Sequence, residues 1–179
     1  DQFEPNKLET LRYVNYGASP TSLAQLKRQI EALPDVIWQE QYGQTEAGNL
    51  TVRPPEYNLS KSSSVGRPYS DLELAILDRS DQPLPPGEIG EVVTRGLQVM
   101  LYYYNDDKKT EEVFTKDGWI KTGDVGYLDA DNFLFLVDRS KDMIISGGEN
   151  IYPTEIEEAL YRHEAVNECA VFGVPDEHW

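Results

Sequence analysis

Apolar positions along the chain recur with two different periods, and the switches between them divide it into segments. Leu11 to Tyr16 reads as a strand, and Leu23, Leu26, Ile30 and Leu33 then recur at the spacing of one helix face. Ser19 followed by Pro20 predicts an N-cap and a first-turn proline for that helix. Pro34-Asp35 ends the pattern, and Val36 to Gln41 reads as a second strand. A strand, helix, strand unit of this kind predicts parallel strands, the helix on one sheet face, and ligands at the strands' carboxyl ends. Gly17-Ala18-Ser19 and Tyr42-Gly43-Gln44-Thr45-Glu46 both fall there.

Arg53 to Pro68 is rich in proline and serine and predicts a connecting loop, with a new lobe starting near Val65. Within that lobe Leu72, Leu74 and Ile76 alternate with Glu73 and Ala75, Gly90 to Arg95 is a second short strand, and Phe133, Phe135 and Val137 alternate again. Asp117-Gly118 and Asp129 to Asn132 are turn signals. The pattern predicts a distorted antiparallel barrel, interrupted by a short helix around Asp106 to Phe114. After Arg139 come a strand over Met143 to Ile145, a glycine turn, and a helix for which Thr154 and Glu157 suggest a capping box and Ile156, Ala159 and Leu160 a buried face. Val166 to Val174 reads as a further strand.

Composition narrows the function classes. The 179 residues hold 32 acidic against 16 basic side chains, and a net charge of -16 disfavours nonspecific binding to nucleic acid or anionic membranes. An anionic ligand must be held by local features. The single cysteine, Cys169, excludes an internal disulfide; it reads as part of a buried strand, and a reducing, cytoplasmic location is expected. No apolar run of transmembrane length occurs, and the first residues lack the charge and apolar core of a signal peptide.

Motifs for nucleophilic triads, Walker loops, zinc proteases or paired-cysteine metal sites are absent. Asp129 and Asp131 begin like a calcium loop, but Phe133 takes the next ligand position, so they read as a hairpin turn. What remains is a set of four blocks: Tyr42-Gly43-Gln44-Thr45-Glu46, Thr122-Gly123-Asp124, Asp138-Arg139-Ser140-Lys141-Asp142 and Ser146-Gly147-Gly148-Glu149-Asn150. An aromatic face is a sequence-tolerant stacking platform for a base. One carboxylate can accept bonds from two hydroxyls, and magnesium favours carboxylate together with phosphate oxygens over an all-protein cage. The combination suits a nucleoside triphosphate.

The blocks and their order resemble the adenylate-forming superfamily of acyl-CoA synthetases, peptide-synthetase adenylation domains and beetle luciferases, over nearly the whole chain, and the acyl- and aryl-CoA ligases most of all. The resemblance implies an α/β fold: the end of a Rossmann-like subdomain (1–64), a distorted β-barrel subdomain (65–140), and a hinge with the start of a small mobile α+β C-terminal domain (141–179). It implies that the Tyr42 ring lies along adenine, that Gly43 is among the residues binding ATP or AMP, that Gly17, Ala18 and Ser19 belong to an adenine-side block whose small residues let backbone approach the base, and that the Thr45 hydroxyl binds phosphate. It further implies that Glu46 holds Mg2+, that Asp124 and Arg139 bind the ribose of ATP or AMP, that Lys141 is the hinge, and that Gly147 and Gly148 line the pantetheine tunnel of coenzyme A. For Gly17 turn geometry is an equal explanation, and for Lys141 a charged surface loop is.

The implied activity is ATP-dependent activation of a small-molecule carboxylic acid, followed by transfer to coenzyme A. Two alternatives stay open: an adenylation domain that loads a carrier protein, and a non-catalytic nucleotide-binding module. The family's phosphate loop would precede Asp1 and its adenylating lysine would follow Trp179, so the chain alone is expected to be inactive without the rest of the parent polypeptide. Which acid is used, and the oligomeric state, are not legible. Two departures from the family concern Tyr102, where relatives often have glycine, and Asn132, where a turn glycine is common.

Overall fold

The computed structural model describes residues 8–18, 21–161, 163, 165–174 and 176. The chain order is β1 (Tyr13–Gly17), α1 (Leu23–Ala32), β2 (Ile37–Gln44), β3 (Gly48–Arg53), β4 (Arg67–Pro68), β5 (Leu72–Leu77), β6 (Gly90–Gly96), α2 (Asp107–Val113), β7 (Ile120–Leu128), β8 (Leu134–Arg139), β9 (Ile144–Ser146), β10 (Glu149–Ile151) and α3 (Pro153–Tyr161). It is an α/β protein, as expected. β1 and β2 are parallel, with Tyr13 opposite Ile37 and Gly17 opposite Gln41, and α1 forms the crossover. Leu26 on α1 is fully buried.

The helix cap differs from the expectation. Ser22 is the N-cap: its hydroxyl accepts from the Gln25 N–H at 3.2 Å, while the Gln25 side chain accepts from the Ser22 N–H at 3.1 Å. This serine and the glutamine three residues on form a reciprocal capping box, which outcompetes the earlier serine. Ser19 and Pro20 lie outside the described residues.

β2 also runs further than the pattern suggests. It continues through Tyr42 to Gln44, turns at residues 45–47, and pairs antiparallel with β3, with a bulge between Tyr42 and Gly43. Any side chain at Gly43 would collide with the Gly48 carbonyl oxygen across this hairpin, so glycine is required here sterically. The first sheet is therefore mixed, in the order β1-β2-β3-β4.

The second sheet, β5-β6-β7-β8, is antiparallel throughout and open. Among the described residues no ladder joins β5 to β8, which closure into a barrel requires. The start of β8 is instead bridged by residues 65–66, which lead into β4: the Val65 N–H donates to the Leu134 carbonyl at 2.9 Å, and the Leu134 N–H to the Gly66 carbonyl at 2.8 Å. The two sheets are thus joined at one corner.

Their apolar clusters meet there. Ala47, Leu50, Leu72 and Ile120 form one, Ile76, Val92 and Leu134 the other, and Tyr42 and Leu74 pack against both. On β8 the core is supplied by Leu134 and Leu136, while Phe135 stacks on Tyr127 at 4.9 Å between ring centroids. The expected phase of that strand is therefore displaced by one residue. The short helix is present as α2, capped by Asp106. The hairpin turn at Asp129 is also present, with its carboxylate accepting from the Asp131 and Phe133 N–H groups at 2.9 Å each. Asn132 there has φ 64°, a left-handed conformation that asparagine tolerates in place of glycine.

Beyond Arg139 several expectations are corrected. The glycine turn closes a hairpin, β9-β10, before the helix begins. α3 starts at Pro153, so Thr154 lies inside it; its N–H is capped by the Asp138 carboxylate at 3.0 Å, and Glu157 accepts from the Val171 N–H at 2.8 Å, leaving no capping box. The 166–174 segment forms no strand, and Ile156, Ala159 and Leu160, expected as a buried face, are exposed. Cys169 is half-buried outside any strand, and its thiol donates to the Glu157 carbonyl. Among the described residues no helix is long and apolar enough to cross a membrane.

Candidate nucleotide site

The interface between the two sheets brings together three residues far apart in sequence. β2 carries Tyr42 to the boundary of the two clusters, where its ring is packed while its hydroxyl reaches β7. That hydroxyl donates to Asp124 Oδ2 at 2.6 Å. Burial, reinforced by the adjacent Asp124 carboxylate, pushes the Tyr42 phenol well above its ordinary value, so it remains a neutral donor. Asp124 is opposite Arg139 in the β7–β8 ladder, and the Arg139 Nε lies 3.8 Å from Asp124 Oδ1.

Local geometry explains the placement of Asp124. Gly123 has φ 77°, the left-handed region that glycine enters without penalty. The bulged strand is pinned on both sides: the Thr122 hydroxyl donates to the Val92 carbonyl at 2.8 Å and accepts from the Asp124 N–H at 3.1 Å, and the Ser140 N–H donates to the Gly123 carbonyl at 2.8 Å. The Asp124 side chain retains 19% exposure and that of Arg139 64%, so both face accessible space.

Glu46 is not in contact with this trio. It lies in the β2–β3 turn, where the Tyr103 hydroxyl donates to its Oε1 at 2.8 Å. Burial, then the hydrogen bond to Glu46, pushes the Tyr103 phenol up to about 12. Glu46 and Tyr103 line a cavity of about 230 Å³ with Gln44, Lys121, Thr122 and Gly123. Gln44 and Gly123 are near neighbours in sequence of Tyr42 and Asp124, so the cavity adjoins the trio. Thr45, at the turn, is exposed. A larger cavity of about 330 Å³ lies between α1 and Trp38; its lining has neither carboxylate nor hydroxyl, and none of the candidate residues reaches it.

The remaining candidates are placed as follows. Gly17 is opposite Gln41, one position from Tyr42, and a side chain there would collide with the Gln41 carbonyl oxygen, so strand approach alone demands glycine. Ala18 has φ 67°. Lys141 is exposed in the turn between β8 and β9, and Gly147 and Gly148 form the exposed β9–β10 turn. Among the described residues no hydrogen bond or ion pair joins Gly147 or Gly148 to Tyr42, Glu46, Asp124 or Arg139. Sequence reasoning missed Tyr103. No motif or periodicity marks it; the residue that stood out there was Tyr102 next door, which is 61% exposed.

No group of three or more His, Cys, Asp or Glu side chains converges among the described residues. The donor set nonetheless fits a magnesium ion that is bound largely by a nucleotide: Glu46 offers one half-buried carboxylate beside a cavity with hydroxyls, and such an ion takes its other oxygens from phosphates and water.

Comparison with known proteins places the chain in a family. Residues 1–104 match the model of the AMP-binding enzyme family, and residues 155–179 that of the AMP-binding enzyme C-terminal domain. A fatty acid–[acyl-carrier-protein] ligase, ScoC, of Streptomyces coeruleorubidus is 42% identical over 95% of this chain and 33% of its own length. The 2-succinylbenzoate–CoA ligase of Bacillus subtilis (strain 168) is 40% identical over 96% of this chain and 35% of its own length. The o-succinylbenzoate coenzyme A synthetase of Bacillus subtilis, solved in complex with ATP and magnesium ion, superposes with a TM-score of 0.84 at 39% identity, covering 95% of this chain and 35% of that one. An amide bond synthetase, McbA, from Marinactinospora thermotolerans gives 0.83 at 36% identity, covering 95% of this chain and 34% of that one. The chain thus spans about a third of the length of the relatives it matches. With the paired motifs converging as described and the family model matching more than half of its residues, the chain belongs to the AMP-binding enzyme family.

Proposed function

We propose that this chain is the central part of an AMP-forming ligase that activates a carboxylic acid with ATP and passes the acyl group to the thiol of coenzyme A. The observation that carries the reading is the contact of Tyr42 with Asp124, itself paired with Arg139, beside the cavity that holds Glu46. In this reading the Tyr42 face and the Gly43 backbone lie along adenine, with Gly17, Ala18 and Ser19 on its other side. Asp124 accepts from the ribose hydroxyls, and Arg139 bridges ribose and α-phosphate. Thr45 binds phosphate.

The carboxylate oxygen of the substrate attacks the α-phosphorus, the bond to the pyrophosphate oxygen breaks, and an acyl-adenylate results. The thiolate of coenzyme A then attacks the acyl carbon and AMP leaves. The work of the protein is to orient the reactants and meet charge on the α-phosphate rather than to move protons. Mg2+, when bound at Glu46, supplies charge neutralisation on the phosphates. Residues 1–64, 65–140 and 141–179 serve as nucleotide lobe, ribose lobe and mobile domain. Lys141 is the hinge between the last two, where a few exposed turn residues can absorb a rotation, and Gly147 and Gly148 admit the pantetheine arm.

A second reading, in which a carrier protein is the acceptor, is favoured by one observation, the 42% identity to an acyl-carrier-protein ligase. Both readings are tested together in the parent ligase. Carboxylate-dependent exchange of pyrophosphate into ATP is expected, with one AMP released per thioester once the correct acceptor is added. Thioester on a carrier protein but not on coenzyme A would replace the first reading by the second. The 179 residues alone, a third of the length of the relatives, should give neither exchange nor thioester, and turnover by them would refute the assignment of missing parts.

A further inference from the structure

The segment after β6 is built around the turn that carries Glu46. The Gln98 side chain donates to the Ala47 and Asn49 carbonyls at 2.8 Å each, the Met100 N–H donates to the Glu46 carbonyl at 2.7 Å, and the Tyr103 hydroxyl donates to Glu46 Oε1 at 2.8 Å. Three residues of this one segment, Gln98, Met100 and Tyr103, thus clasp the turn and its exit strand, and the last of them touches the carboxylate itself.

Tyr103 is in turn held in place. Its N–H donates to the Thr110 hydroxyl on α2 at 2.9 Å, and the Lys109 ammonium lies 4.4 Å from its ring centroid. Its ring therefore has few alternatives, and its hydroxyl arrives at Glu46 with little further ordering cost. A free glutamate samples several rotamers about three bonds. One fixed by a donor on Oε1 presents a single oxygen, Oε2, in one direction. Hydrogen bonds to a metal-binding side chain from a neighbouring group orient it in this way, and losing one typically lowers metal affinity about 10–100-fold.

We propose that Tyr103 is a positioning residue for the metal carboxylate: its hydroxyl holds Glu46 so that the remaining oxygen meets the divalent ion carried by the nucleotide. This rests on the reading of Glu46 as the magnesium ligand. The two are separable by experiment.

The test uses the parent ligase with Mn2+ in place of Mg2+ and ATP present, reading free Mn2+ by its electron paramagnetic resonance signal. Tyr103→Phe deletes one oxygen and no carbon. It should raise the dissociation constant of Mn2+ in the ternary complex about tenfold, leave ATP affinity without divalent metal within twofold, and shift the metal concentration giving half-maximal pyrophosphate exchange by the same factor. Glu46→Gln, measured in parallel, should weaken Mn2+ at least as much. If Glu46→Gln weakens Mn2+ and Tyr103→Phe does not, the positioning role is overturned while Glu46 stands as ligand. If neither variant changes Mn2+ affinity, the reading of Glu46 fails and the inference with it. A lowered melting temperature of Tyr103→Phe with unchanged Mn2+ affinity would make the contact structural only, and would also overturn the proposal.

Discussion

Arg53→Met should destabilise the protein by about 3–5 kcal/mol, because it leaves a buried carboxylate without its counter-charge. Arg53 is fully buried at the end of β3, and its Nη2 pairs with Glu40 Oε2, itself 6% exposed, across the β2–β3 ladder. The rest of the guanidinium is also used. It donates to the Tyr16 hydroxyl at 2.8 Å, to the Ser62 carbonyl at 2.8 Å and to the Ser64 carbonyl at 2.6 Å, so one side chain ties the serine-rich connection to both β1 and β2. Burial holds the Glu40 carboxyl above the ordinary glutamate value, and Arg53 opposes that rise. With the arginine gone the rise must grow. A carboxyl whose folded value is raised penalises folding at pH above that value, and the penalty fades as pH falls toward the unfolded value. The deficit of Arg53→Met in urea denaturation should accordingly shrink on acidification toward the ordinary glutamate range. Adding Glu40→Leu should recover much of it at neutral pH, since replacing both members of a buried pair by apolar groups is often neutral. A deficit below about 1 kcal/mol, the level of an exposed ion pair, would show that Arg53 does not act in this way.

Arg53 also marks where sequence reading stopped. The strand, helix, strand unit was legible because Leu23, Leu26, Ile30 and Leu33 repeat at helical spacing between two apolar runs, and β5 because Leu72 and Ile76 alternate with an exposed glutamate. β3 was not. Its sequence, Gly48 to Arg53, mixes polar and apolar residues, since both Thr51 and Arg53 are buried through hydrogen bonds made to the distant Val65 carbonyl and the 62–64 segment. A residue buried by polar contacts leaves no periodic apolar signal. The phase of β8 failed for a related reason: Phe133 and Leu134 are adjacent and both buried, one under Tyr57 and the other under Ile76, as a strand leaving a turn allows. The cap of α3 was illegible in principle, because Asp138 lies sixteen residues before Thr154 and no local pattern encodes that bond. The candidate site was more legible than the segment around it. Tyr42, Asp124 and Arg139 were marked by their blocks, whereas Tyr103 carries a structural signature only, its contact with Glu46 across fifty-seven residues.

Asp124→Ala in the parent ligase should cut adenylate formation by about 10²–10⁴-fold at limiting ATP, on the reading of Asp124 as acceptor for both ribose hydroxyls: each hydrogen bond to a charged acceptor contributes about 1.5–3 kcal/mol, and 1.4 kcal/mol is about tenfold. The carboxylate has room for these bonds. Tyr42 occupies one lone pair of Oδ2, and a carboxylate offers about four. Removing the side chain also leaves the buried Tyr42 hydroxyl without its acceptor, so Tyr42→Phe is the necessary companion. It deletes that donor while keeping the ring packed between the two apolar clusters, and by itself should alter nucleotide use far less than Asp124→Ala. A substrate with one hydroxyl fewer separates the ribose role from general damage to the strand. With the unaltered enzyme, 2′-deoxy-ATP should be used about 10–100-fold less efficiently than ATP. With Asp124→Ala the ratio between the two should fall close to one, because the acceptor that told them apart is gone. Loss of activity that preserves the discrimination would place the ribose elsewhere and make Asp124 a support for Tyr42 and Arg139 alone. Unchanged exchange kinetics would remove it from the site.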